Sequence, residues 1–380
     1  MIPSSAPEGA TGSPPDESRP GAQRAHDTHK SITMADIAKA AGVSQGAISS
    51  LLNDRDYGIR VSEKTRDRVF RVCREMGYIP NDLRAVVRMY PELGNFCVLL
   101  SSELEDLPSD PFQIRVISSA MGAIGDQVII ARYKADVDYA TDAEALPQTV
   151  RAGTTSKYLL LGKPNASLCQ ALVARGYGVA LASHDVALAG VTSILPDFAG
   201  ASQTAIDYLF GLGHKRVAIL SGPFGATDYH IIEFNHGVRA SFDKAGIPVE
   251  AQNIIYGDLT MDNGYKAVDL LIDRPTPPTA VFCFGDAAAA GVIARAQARG
   301  LKVPEDLSVI GTSDDALSAH IQPALTTVHL PAEAIGVTAV EETDRRVRER
   351  EAFPTEARKV LLPVKLVKRA SSGPPSKARK

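Results

Sequence analysis

The stretch Ile32-Thr33-Met34-Ala35-Asp36-Ile37-Ala38-Lys39-Ala40-Ala41-Gly42-Val43-Ser44-Gln45-Gly46-Ala47-Ile48-Ser49-Ser50-Leu51-Leu52-Asn53 places apolar residues at helical spacing on both sides of one glycine. Ile37, Ala38 and Ala41 form one short apolar face, and Ala47, Ile48, Leu51 and Leu52 form a second. Gly42 supplies the turn between them, and Ser44 is placed to cap the second helix. Two short helices around a tight glycine turn make a helix-turn-helix, whose second helix projects its N-terminal polar residues outward. A third helix is expected from a Ser62 cap, with Val69, Val72, Cys73 and Met76 at i, i+3, i+4 and i+7, closing a three-helix core. A small bundle that binds nothing shows the same periodicity. What sets this one apart is the outward set Gln45, Ser49 and Ser50, polar and free of carboxylates, flanked by Thr33, Ser44, Asn53 and Ser62. Such groups suit phosphate oxygens and base edges.

Working outward, residues 1–30 are rich in Ser, Pro, Gly and charge and read as a disordered tail with no apolar signal core. The helix-turn-helix region, 32–78, carries eight basic against six acidic residues between Asp36 and Glu75, a small local excess in a chain of formal net charge −3. Residues 79–94 are a boundary segment between Pro80 and Pro91, with Leu83, Val86 and Val87 giving it a short helical option. The 380 residues are 44% hydrophobic and 22% charged, an ordinary globular composition. The apolar runs 158–162 and 280–284 are strand-sized, far below the ~20 residues a membrane helix needs. Cys73, Cys97, Cys169 and Cys283 show no metal or disulfide spacing and read as buried thiols of a cytoplasmic protein.

From Phe96 the pattern changes to apolar strand runs (Phe96–Leu100, Val128–Ile130, Tyr158–Leu161, Val179–Leu181, Arg216–Leu220, Ala280–Phe284, Leu307–Ile310) alternating with helix-length stretches such as Ala199–Leu212 and Asp286–Arg299. Continuous apolar strands between helices indicate a parallel sheet covered on both faces. A span of about 270 residues exceeds one comfortable core, so the fold class expected is a three-helix domain followed by an α/β core of two doubly wound parallel-sheet subdomains. That core is placed at 95–369, with 370–380 as a disordered basic tail.

These motifs resemble the LacI family of bacterial transcription regulators. The stretch 32–53, Arg60-Val61-Ser62-Glu63-Lys64-Thr65-Arg66 and Glu75-Met76-Gly77-Tyr78-Ile79-Pro80-Asn81 are similar to its DNA-binding domain. Leu212-Gly213-His214-Lys215-Arg216-Val217-Ala218, the run from Gly300 to Gly311, and Pro323-Ala324-Leu325-Thr326-Thr327-Val328 are similar to its periplasmic-binding-protein-like core. The resemblance implies a homodimer on a roughly palindromic double-stranded operator, most often as a repressor. It gives Gln45 and Gly46 the places that choose the operator, with Ser49 and Ser50 completing the face and Met34 at the groove edge. Thr33, Ser44, Asn53, Ser62 and Asn81 take the phosphate-holding places. Ser50 stands where the family often has Arg, Gly46 offers no side chain, and the loop 54–60 is longer than usual. Residues Asn81 to Met89 resemble the family's hinge helix, in which a Leu at the place of Val87 wedges into the minor groove, here flanked by Arg84 and Arg88.

The resemblance also implies an effector in the cleft between subdomains, and there this chain departs from the family. Ser183, followed by His184, replaces a cleft Asp; Gly285-Asp286 replaces an Asn-Asp pair; Ser313 replaces the first Asp of a Gly-aromatic-Asp-Asp motif; and the Arg upstream of Gly237 is missing from Tyr229–His236. Ser183, His230, Asp286 and Ser313 are the candidate effector residues, with His236 a further histidine nearby in sequence. Two readings stand: a changed effector that is not a simple neutral sugar, or a cleft that no longer binds anything. Asp314-Asp315 is assigned no acid–base role. No dinucleotide fingerprint, P-loop, nucleophile elbow or metal spacing is present, so no enzyme, cofactor or metal is expected. A solute-binding sensor in which DNA binding is secondary is the alternative function, and a nucleoid-type binder is disfavoured by the small charge excess.

Overall fold

The computed structural model describes residues 32–53, 61–78, 80, 87, 89, 94–102, 110–125, 128–349 and 356–376. The expected tail 1–30, the loop 54–60 and most of the boundary segment 79–94 lie outside the described residues. The chain divides into two compact units with the main boundary at Tyr78–Ile79, residues 52–54 being grouped with the second.

The first unit holds α1 (Met34–Ala41), α2 (Gln45–Asn53) and α3 (Glu63–Met76). Ile37, Ile48, Val69 and Cys73 have no exposed surface, and Ala38, Ala41 and Ala47 are buried beside them, as the spacing predicts. α1 closes on Gly42 at φ 63°, a left-handed conformation that glycine adopts at no steric cost, and α3 closes on Gly77 in the same way.

The second unit is built on two six-stranded sheets. The first has the order β11-β5-β4-β3-β1-β2, with β1 (Asn95–Ser101), β2 (Val128–Tyr133), β3 (Thr155–Leu161), β4 (Gly178–Ala182), β5 (Val191–Pro196) and β11 (Arg358–Leu362). The second has the order β12-β10-β9-β8-β6-β7, with β6 (Val217–Ser221), β7 (Ile254–Tyr256), β8 (Ala280–Cys283), β9 (Ser308–Ser313), β10 (Thr326–His329) and β12 (Lys365–Val367). The pairings are parallel except β10 with β12. Strand β1 shows why the runs are continuously apolar. Phe96, Val98 and Leu100 enter the core on one face of the sheet, and Cys97 and Leu99 enter the core on the other. Alternation buries every residue when both faces are covered.

The helices that cover the sheets and matter for the site are α4 (Pro111–Ile124), α7 (Phe198–Gly211), α8 (Tyr229–Ala245), α10 (Asp286–Ala298) and α11 (Ala332–Glu349); the remaining ones in chain order are α5 (Gln148–Ala152), α6 (Ala166–Val173) and α9 (Met261–Ile272). The chain crosses between subdomains three times, after β5, between β10 and α11, and between β11 and β12. Gly237 allows α8 to lie against α7, since a Cβ there would stand 2.1 Å from the Ala199 carbonyl oxygen. Cys73, Cys97, Cys169 and Cys283 are all free and buried.

The C-terminus corrects one expectation. Residues 370–376 are ordered against the second sheet instead of trailing as a tail. Ser371 has no exposed surface; its hydroxyl donates to the Val309 carbonyl at 2.6 Å and accepts the Thr326 amide at 2.8 Å. The Gly373 carbonyl lies 2.8 Å from Nε2 of buried His214 and accepts from Ser308 Oγ at 2.9 Å. Composition marked this segment as polar, but its polar groups satisfy backbone groups that would otherwise be buried without partners. Residues 377–380 lie outside the described residues.

Candidate nucleic-acid interface and ligand cleft

In the first unit, three of the expected phosphate-holding residues sit at helix N-termini. Thr33 and Asp36 form a capping box: Thr33 Oγ1 accepts the Asp36 amide at 3.3 Å, and the Thr33 amide donates to Asp36 Oδ2 at 2.9 Å. Ser44 Oγ accepts the Ala47 amide at 3.2 Å at the start of α2, and Ser62 Oγ accepts the Thr65 amide at 3.2 Å at the start of α3. Each hydroxyl therefore satisfies a helix-end donor, and the N-terminal ends it marks carry the positive pole of the helix dipole. On α2, Gln45 is exposed, Gly46, Ser49 and Ser50 are half-buried, and the first turn holds no acidic residue. Met34 is 37% exposed at the start of α1. Asn53 closes α2.

Asn81, Arg84 and Arg88 lie outside the described residues. Val87 is described: it is 1% exposed and sits beside Gly94, where an added Cβ would come within 3.1 Å of Val87 Cγ1.

The cleft between the two sheets is set by their carboxyl ends, where open α/β sheets bind ligands. Ser183 follows β4 at φ 62°, a left-handed conformation uncommon for a residue with a Cβ. Its amide donates to Ile194 O at 2.8 Å, but its buried Oγ has no hydrogen-bond partner among the described residues. His184, in the first subdomain, meets His230 of α8 across the cleft, with ring centroids 5.3 Å apart and planes at 85°. His230 also lies 6.0 Å from Phe198 and 5.8 Å from Phe284, and Phe284 stacks at 4.2 Å on Phe234. Burial, aided by the neighbouring His230, pushes His184 down to about 4, and burial lowers His230 as well. Both imidazoles are neutral at pH 7.

Asp286, expected as an effector ligand, is enclosed within the second subdomain. It is 1% exposed, and its oxygens are committed internally: Oδ1 accepts from Thr327 Oγ1 at 2.5 Å, and Oδ2 accepts from Ser318 Oγ at 2.7 Å and the Asp315 amide at 2.9 Å. Burial raises its carboxyl above the usual range. Ser313 is also tied down, donating to Asp315 Oδ1 at 3.0 Å. Its carbonyl and that of Asp314 accept from the Arg115 guanidinium of α4 at 3.0 and 3.3 Å, a link between the subdomains. His236 is an exposed surface residue beside Glu233 at 3.6 Å. Of the four expected effector residues, only Ser183 and His230 keep polar atoms without partners among the described residues.

Sequence reasoning missed Phe234, Phe198, Phe284 and Arg115. The signal was present for Phe234, which lies in the stretch upstream of Gly237 that lacks the family's Arg. Among the described residues no cluster of His, Cys, Asp and Glu is placed to hold a metal, and no helix is long and apolar enough to cross a membrane.

A family model described as bacterial regulatory proteins, lacI family, matches residues 33–81, and one described as a periplasmic binding protein-like domain matches residues 206–372. The transcriptional regulator DegA of Bacillus subtilis (strain 168) is 30% identical over 348 residues, covering 90% of this chain and 98% of that protein. The transcriptional repressor CytR of Escherichia coli (strain K12) is 30% identical over 338 residues, covering 83% and 90%. The structure of the regulator CelR in complex with cellobiose is 26% identical, covers 90% of this chain and all of that one, and superposes with a TM-score of 0.63. With a helix-turn-helix of this geometry joined to paired parallel sheets, and relatives that align along nearly their whole length, the chain belongs to the LacI family of DNA-binding transcriptional regulators and is not an enzyme.

Proposed function

We propose that this regulator works in the cytoplasm as a homodimeric repressor of a pseudo-palindromic operator, read in the major groove by α2 and tuned by a cleft that does not accept simple neutral sugars. The observation that carries the DNA reading is α2 itself: an exposed Gln45 at a capped, carboxylate-free N-terminus, with Ser49 and Ser50 on the following turn. A Gln side chain can pair with both N6 and N7 of adenine, a contact worth about 1–3 kcal/mol of discrimination. Thr33, Met34, Gly46, Ser44, Asn53 and Ser62 flank that contact, and Asn81, Arg84, Val87 and Arg88 complete it over the operator centre.

A dimer supplies the second half-site that one helix-turn-helix with a small charge excess needs. Apolar side chains exposed at corresponding edges of the two sheets support it: Ile130 on β2, and Tyr256 on β7 with Phe224 packed against its ring at 5.0 Å. The non-sugar cleft follows from Ser183, Gly285 and Ser313 standing where charged or amide groups would orient hydroxyls. Selection of duplexes from a random pool by the full chain tests the reading. An inverted repeat should emerge; recovery of unrelated sequences, or of a single half-site, would refute it.

A further inference from the structure

Resting on the reading of the cleft as an effector site, we infer that its ligand is an uncharged planar aromatic molecule with hydrogen-bonding groups on its rim, inserted where His184 meets His230. The contact joins one subdomain to the other, since His184 follows β4 and His230 lies on α8. Its surroundings are aromatic: Phe198 and Phe284 stand 6.0 and 5.8 Å from the His230 ring and pack edge-on against each other at 6.0 Å. A flat π-system that parts the two imidazoles takes over these faces with little change in buried area.

The polar groups at the same place lack partners. Ser183 Oγ is buried without a hydrogen bond; the ring nitrogens of His184 and His230 also have none among the described residues, but they are not fully buried. Buried polar atoms are normally satisfied, so a group that brings complementary donors and acceptors gains where an apolar one does not. The left-handed backbone at Ser183 holds that hydroxyl in a conformation that costs energy to maintain, a feature common at ligand sites.

Charge selects against ions. Burial keeps both imidazoles neutral. The Arg115 guanidinium is engaged by the Ser313 and Asp314 carbonyls and faces Asp315 and Glu333, and Lys359 is paired with Asp185. Both cations are thus already opposed by carboxylates, although the buried Arg115 Nε keeps no hydrogen-bond partner. Asp185, Asp286, Asp314 and Asp315 are likewise paired or hydrogen-bonded, and Asp228, whose charge reaches both imidazoles, is half-exposed and screened by water. A buried ligand charge would pay desolvation without a partner.

The test is calorimetric titration of the full chain with compounds matched in ring and differing in charge: nicotinamide, nicotinate and 1-methylnicotinamide; uracil and orotate; 4-hydroxybenzamide and 4-hydroxybenzoate; and glucose and cellobiose as carbohydrates. At least one neutral aromatic should bind, at least about tenfold more tightly than its charged counterpart, with Ser183→Ala and His184→Phe each weakening it about tenfold. His184→Phe keeps an aromatic ring, somewhat larger than the imidazole, and removes its nitrogens, so a loss there is not the loss of an aromatic face. Binding of the ions or carbohydrates as tightly as the neutral rings, no binding of any neutral aromatic at millimolar concentration, or unchanged affinity in both variants would overturn the inference. Operator binding of the same preparation is measured separately by fluorescence anisotropy. Its loss would refute the regulatory reading, whereas intact operator binding with a silent aromatic panel refutes the ligand class alone.

Discussion

Replacing Asp286 with alanine separates a structural tie from a ligand contact. The carboxylate sits at the first turn of α10, 1% exposed, and receives three donors: the Thr327 hydroxyl, the Ser318 hydroxyl and the Asp315 amide. These come from β10, from the short helical turn Ala316–Ala319 and from the segment leading into it, so one side chain holds three segments of the second subdomain. The neighbouring backbone is shaped for it, since a Cβ on Gly311 would stand 2.1 Å from Asp286 Oδ1. A hydrogen bond to a charged acceptor contributes about 1.5–3 kcal/mol, and a stranded buried donor costs about 1–3 kcal/mol. The two hydroxyls can turn to other acceptors; the Asp315 amide cannot. Asp286→Ala should therefore lose about 3–5 kcal/mol in urea unfolding, and Asp286→Asn, which keeps one acceptor oxygen, roughly half of that. A loss below about 1 kcal/mol for Asp286→Ala would refute the tie and return Asp286 to the cleft.

Gln45→Ala should relax specificity at one position per half-site by about 1–3 kcal/mol, read as the ranking of single-base operator variants, with the unfolding midpoint unchanged. Ser371→Ala should cost about 2–4 kcal/mol of stability, because the Thr326 amide and the Val309 carbonyl lose a buried partner; a wild-type midpoint would show that the C-terminal segment is only laid on the surface. Acid should also weaken the fold through His184, whose folded value of about 4 lies below its ordinary 6.5. The unfolded chain then binds its proton first, so this contribution is complete above about pH 6.5 and falls away toward pH 4, about 2 kcal/mol being lost by pH 5. His214 and His230, lowered for the same reason, act in the same direction, and His184→Phe should flatten the profile.

What the sequence could disclose was what local spacing controls. Ile37, Ile48, Val69 and Cys73 lie at helical intervals, and all are buried. Phe96–Leu100 and Tyr158–Leu161 are continuous apolar runs, and both became doubly covered strands. The misreadings came from relations across long separations. Ser371 looks like tail because its partners, Thr326 and Val309, are 45 and 62 residues away. Asp286 looks like a cleft residue until Ser318 and Thr327 are seen to fill its valences. The aromatic set around His230 unites residues from α7, α8 and the end of β8 that no single window contains.

The central claim, that two copies of this chain read one inverted repeat, is tested most directly by sedimentation of the full chain with its selected operator duplex at physiological salt. The account predicts two chains on each duplex, with the selected site held at least about 1,000-fold more tightly than a scrambled one of the same length. One chain per duplex with equal affinity for both sequences would contradict it.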